Sequence, residues 1–177
     1  MAEFSQAIDA LLRHEGGFAP SDNNRGAVNF GWTAATLKRL GLPHSTEDVR
    51  ALTRERAAGL YAMHFWTPLR LSEIKDQRLA TLVFSMAVNM GPHKAVGMLQ
   101  RSVNDALDDT AAPGKLAVDG ALGPRTVRAI NALDPQLITL KYKGWLAGEY
   151  KRLAEGNPAL YGDDLRGWLA RLEELTA

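Results

Sequence analysis

The chain has 177 residues, 46% of them hydrophobic and 23% charged, with a net charge of +1 and no cysteine. This is enough chain to bury a substantial core in one domain or two small ones. The near-neutral charge removes any bulk electrostatic case for nucleic acid, and the missing cysteine excludes disulfides, a thiol nucleophile and thiolate-bound zinc. The N-terminus carries Glu3 and no long apolar run, so no classical signal peptide is expected. The most apolar stretch, 79–91, is too short to span a bilayer and reads as a core helix, so no membrane insertion is expected.

Phe4, Ala7, Ile8, Leu11 and Leu12 recur at helical spacing, which predicts a helix over 3–14. Gly16 and Gly17 end it, glycine being the usual residue of the left-handed turn after a helix. A loop rich in turn residues covers 19–26, and short strands are possible only between 18 and 33. Thr33 caps a helix over 34–40, Ser45 or Thr46 opens another, and Thr53 caps one that runs to about Phe65, which Pro68 closes. The clearest helix spans 76–90, with Leu79, Leu82, Val83, Met86 and Met90 on one stripe and Gly91-Pro92 at its end. We read it as the central helix. Val96, Leu99 and Val103 point inward from the next helix, which runs to about Leu107. The polar stretch 108–115 is a loop or internal boundary, and helices follow to about Leu133, from Pro135 to about Glu155, and over 164–175. The fold class is mainly α.

Several chemistries fail on pattern. His14, His44, His64 and His93 lack the i, i+4 pairing of a helical zinc site, and no nucleophile elbow, phosphate loop or dinucleotide fingerprint is present. No metal or cofactor is expected. Lys141, Lys143, Lys151 and Arg152 share one helix with Tyr142, Trp145 and Tyr150; this reads as a solvated helix face rather than a nucleic-acid surface.

What remains is carboxylates among aromatics. Glu15 lies where the first helix meets a turn, a place that holds a carboxyl rigidly while letting it lean into a cleft. Partial burial there would raise its pKa and suit it to general-acid work. Glu15, Asp22, Phe18, Phe30, Trp32, Tyr61 and Trp66 all fall in the first third of the chain. Glycoside hydrolysis needs a protonated acid and usually a second carboxylate. Phe30 and Tyr61 read as core.

The order of several blocks makes the sequence recognisable. His14-Glu15-Gly16-Gly17-Phe18, Arg25-Gly26 and Asn29-Phe30-Gly31-Trp32-Thr33 resemble the signature of glycoside hydrolase family 108. So do Leu60-Tyr61, Phe65-Trp66-Thr67-Pro68, and the run from Phe84 through Ala87-Val88-Asn89 to Gly91-Pro92. These are lysozyme-like N-acetylmuramidases of phage endolysins and secretion-associated muramidases. Leu99-Gln100-Arg101 and the run from Val118 to Thr126 resemble the peptidoglycan-binding region fused behind the catalytic part.

The resemblance implies a lysozyme-like helical fold with a short β-hairpin near 18–33. It also implies a catalytic region over 1–91 and a helical peptidoglycan-binding-like region over 92–177, packed into one globule. The implied reaction is cleavage of the β-1,4 bond between N-acetylmuramic acid and N-acetylglucosamine, with Glu15 as proton donor. Phe18, Asn24, Arg25, Asn29, Trp32, Thr33, Trp66 and Asn89 are the implied substrate contacts, Trp32 and Trp66 being candidate sugar platforms.

One departure stands out. Lysozymes of this kind place an aspartate nine residues after the glutamate, and here that residue is Asn24. An amide cannot act as a general base. Asp22 takes the role, or neutral groups position the water, or the substrate's own C6 hydroxyl attacks as in lytic transglycosylases. A peptidoglycan-binding shell without chemistry is the competing reading. The implied partners are glycan strands and a holin or export machinery that delivers a monomer from the cytoplasm to the periplasm and cell wall.

Overall fold

The computed structural model describes residues 1–14, 16–20, 26–108, 114–161 and 164–176. The protein is mainly α, as the sequence predicts, and packs as two compact units: Phe4–Pro68, and Met1–Glu3 with Leu69–Ala177. The division by packing falls at Pro68, whereas the functional division read from the sequence falls at Gly91.

The first unit opens with α1, Phe4–His14. Ala7, Ile8, Leu11 and Leu12 are buried, and Phe4 meets Trp66 edge-on at 5.6 Å between ring centroids. A two-stranded antiparallel hairpin follows, β1 Val28–Asn29 and β2 Trp32–Thr33, in the segment predicted for it. Its turn is Phe30-Gly31, with φ of 50° and 78°. Two positive φ values in a two-residue loop match the right-handed twist of the strands. Phe30 is an unusual residue for that conformation, and the Tyr61 hydroxyl holds it by donating to its carbonyl at 3.1 Å. Then come α2 Ala34–Arg39, α3 Thr46–Arg50 and α4 Arg54–Tyr61.

The predicted caps are the observed ones. The hydroxyls of Thr33, Ser45 and Thr53 accept from the backbone N–H groups of Thr36, Asp48 and Arg56, and Ser45 with Asp48 completes a reciprocal capping box. Beyond Tyr61 the helix widens into a π-helical turn over Ala62–Trp66. The sequence places this segment in an ordinary helix; the structure corrects that reading. The wider turn seats Trp66 in the core at 4% exposure, next to Phe4.

The second unit contains a 3-10 turn Leu71–Glu73, α5 Gln77–Met90, α6 Pro92–Asp108, α7 Pro124–Ala132, α8 Pro135–Gly156, a short α9 Pro158–Tyr161, and α10 Asp164–Thr176. Asp76 caps α5 by accepting from Leu79 N–H at 2.7 Å. Every residue from Leu82 to Ala87 is buried, so α5 is apolar all round rather than on one stripe. It packs with α6 and α10. Tyr142 of α8 is fully buried and donates its hydroxyl to the Ala95 carbonyl at 3.0 Å; burial holds this phenol far above its ordinary pKa. The Tyr150 hydroxyl meets Met86 Sδ at 3.3 Å. Of the seven basic and aromatic residues that the sequence groups on α8, Tyr142 and Tyr150 are therefore core, and Lys143 and Arg152 pair with Glu173 and Glu149.

The sequence blocks in 99–126 form one polar network. Gln100, 1% exposed, places its amide nitrogen 2.7 Å from Asp119 Oδ1 and 2.9 Å from the Ala121 carbonyl, while its amide oxygen accepts from Gly120 N–H at 2.9 Å. Gly120 has φ of 68°, and a Cβ there would lie 2.7 Å from the His93 carbonyl oxygen. Only glycine lets the loop lie this close to the start of α6.

Glu149 sits between Arg152, which donates to it through Nε at 2.9 Å and Nη2 at 2.6 Å, and Lys94. The hydrogen bonds from Arg152, aided by Lys94 and opposed by burial, pull its carboxyl from 4.5 down to about 2. A carboxyl depressed in the folded state stabilises the fold above its unfolded pKa and loses that contribution as pH falls to the folded value. Acid destabilisation between about pH 4.5 and pH 2 is thus expected to be shallower in Glu149→Gln than in the wild type. Melting temperatures measured across that range check it; parallel curves would contradict it.

Candidate active site

The candidate acid follows directly on α1, whose last described helical residue is His14. Glu15 itself lies outside the described residues, as do Asp22, Asn24 and Arg25. Their immediate frame is described. Gly16 and Gly17 are exposed, and Gly17 does not adopt the left-handed conformation that the sequence suggests for the helix end. The chain instead runs without regular structure through Phe18 into a bridge between Ala19 and Val28. The two residues exchange backbone hydrogen bonds of 2.8 and 2.9 Å.

Two ties fix the hairpin. Asn29, 5% exposed, donates its amide to the carbonyls of Val49 at 3.1 Å and Leu52 at 3.2 Å, with the Arg50 carbonyl at 3.4 Å. These carbonyls lie at the end of α3 and just beyond it, where the regular helical ladder stops, and Asn29 adds a donor to them. Trp32, 1% exposed, donates Nε1–H to the Ala57 carbonyl at 3.3 Å and packs on Tyr61 with ring centroids 4.7 Å apart. His64 and Phe65 lie against the same indole.

The sequence-derived contact residues therefore separate. Phe18 is half-buried, with the Arg50 guanidinium 4.7 Å over its ring. Asn29 ties the hairpin to α3, and Thr33 caps α2. Trp32 and Trp66 have no ring face open to a sugar; both build the core. Asn89 is exposed near the end of α5, in the second unit. Arg50 had no sequence signal. It lies 32 positions from Phe18, and only the fold makes them neighbours.

A mainly α chain whose first helix runs into a small hairpin is a lysozyme-like fold. Residues 8–91 match the glycosyl hydrolase 108 family model, from α1 through the hairpin to the end of α5. Just under half of the chain is thus similar to a family of glycoside hydrolases. Brucella abortus SagA is a similar solved structure: the TM-score is 0.72 at 22% sequence identity, covering 98% of this chain and 95% of that one. At that identity the likeness is one of fold. None of the curated proteins matches the chain.

Proposed function

We propose that this protein is a peptidoglycan hydrolase that cleaves the β-1,4 bond between N-acetylmuramic acid and N-acetylglucosamine, with Glu15 as general acid. The observation that carries the reading is the family match over 8–91, which contains the His14–Phe18 block. The frame around Glu15 supports it. A helix anchored by Ala7, Leu11 and Leu12 precedes the residue, and the Ala19–Val28 bridge follows it in the chain.

In this reading Glu15 gives its proton to the glycosidic oxygen, and Asp22 takes the proton from the attacking water, the role Asn24 cannot fill. Phe18, Asn24, Arg25 and Asn89 are the proposed substrate contacts. Residues 92–177 hold the polymer, and a holin or export machinery brings the protein to the cell wall, where it acts as a monomer.

Incubation with purified peptidoglycan tests the proposal: soluble fragments with new reducing ends are expected, and none would overturn it. Asp22→Asn is expected to lower kcat about 10²–10⁴-fold, the usual worth of a positioned acid or base. An unchanged rate would leave water activation to neutral groups. Anhydro-muramic ends would instead mean attack by the substrate's C6 hydroxyl, a transglycosylase reaction.

A further inference from the structure

A groove of about 920 Å³ runs between α6 and α8, bordered by the loop 117–120. This is within the range of sites that enclose small ligands. Its centre is Trp145, 40% exposed, and the indole is fixed from two sides. Asp105 Oδ2 accepts from Nε1–H at 2.7 Å, and the Arg101 guanidinium lies 5.4 Å from the ring centroid. An exposed indole held this firmly loses little freedom when a ligand stacks on it. Gly144 and Gly148 line the same wall of α8, one turn apart. Interior helical glycine is less favourable than alanine, yet a Cβ at either position would meet nothing within 4 Å. Packing does not require these glycines; they leave room above the helix.

The charges of the groove are unbalanced, with four lysines and arginines against two carboxylates, Asp105 and Glu149. Asp105 accepts from Trp145, and Glu149 pairs with Arg152 and Lys94, so the excess positive charge of the lining comes from Arg101 and Lys141. The complementary ligand is anionic and elongated. From Leu140 to Arg152 the wall of α8 is about 18 Å long, which accommodates about five residues of extended peptide.

We infer that this groove binds a carboxylate-bearing peptide, and that in the protein's substrate this is the stem peptide of peptidoglycan rather than its glycan. The inference rests on the peptidoglycan reading above for the source of the peptide. In that polymer the lactyl carboxyl of muramic acid is consumed in an amide, so the glycan is neutral and the free carboxylates belong to the stem. Arg101, beside the indole, would receive one of them, and a side chain or peptide plane would stack on Trp145.

Calorimetric titration of the full chain with the synthetic tripeptide L-alanyl-γ-D-glutamyl-diaminopimelate tests this, in parallel with oligomers of N-acetylglucosamine, a neutral glycan that has no lactyl carboxyl. Saturable tripeptide binding that weakens with salt is expected. Arg101→Ala and Trp145→Ala should each weaken it at least about tenfold. A Cβ at Gly148 meets nothing within 4 Å, so Gly148→Leu projects into the groove and should remove binding while leaving the melting temperature unchanged or raised. Tripeptide binding unaffected by Gly148→Leu, or binding of the neutral N-acetylglucosamine oligomers in place of tripeptide, would overturn the inference. So would an absence of tripeptide binding by a wild type that digests peptidoglycan. Failure of digestion with tripeptide binding intact would instead overturn the hydrolase reading and uphold the groove.

Discussion

Glu15→Gln is expected to lower the rate of peptidoglycan cleavage by at least about 10²-fold, with KM and melting temperature close to wild type. The substitution replaces an acid with an amide of nearly the same shape. It removes the proton that must reach the leaving oxygen in the transition state, and little that binds the ground state. A fall in kcat and kcat/KM by the same factor is the signature of such a loss. Dye release from labelled peptidoglycan across a range of substrate concentrations provides the measurement. Unaltered turnover would remove Glu15 from the chemistry. A large fall in melting temperature would mean that the glutamate serves the fold instead.

The second large effect is on stability. Trp32→Ala is expected to cost about 3–5 kcal/mol, as full removal of a buried aromatic usually does. For a protein of this size that lowers the melting temperature by roughly 10 °C. The indole is 1% exposed, packs on Tyr61 and donates to Ala57, so its loss opens a cavity and removes a buried hydrogen bond. Trp32→Phe keeps most of the packing and none of the hydrogen bond. It is expected to fall between the two in melting temperature, with KM unchanged. If Trp32 served as a sugar platform, KM would rise in Trp32→Phe while stability held. Thermal denaturation alongside steady-state kinetics separates the two roles.

Much of the fold is legible because its signals are local. Thr33, Ser45, Thr53 and Asp76 each sit one position before a helix and accept a hydrogen bond from within its first turn, so residue type and position suffice. Gly91-Pro92 ends α5 and starts α6 for equally local reasons. The hairpin is legible only as a possibility, because each strand is two residues long and no alternation builds up.

The residues around the candidate site were harder to read because their roles depend on distant neighbours. A tryptophan beside glycine and phenylalanine suits a sugar platform or a core equally well; the contact of Trp32 with Ala57, across 25 positions, decides for the core. Asn29 looks like a polar contact residue until its amide is found at the end of α3. The π-helical turn has no residue pattern of its own. It arises where Tyr61 and Trp66 must both reach the interior. Glu15 remains legible through its place in an ordered block rather than through geometry.

The most direct test of the proposed chemistry is mass spectrometry of the soluble fragments released from purified peptidoglycan by the wild type and by Glu15→Gln. Fragments with reducing N-acetylmuramic acid ends that disappear in Glu15→Gln are the expected result. Reducing N-acetylglucosamine ends, or muramic ends released equally by Glu15→Gln, would contradict it.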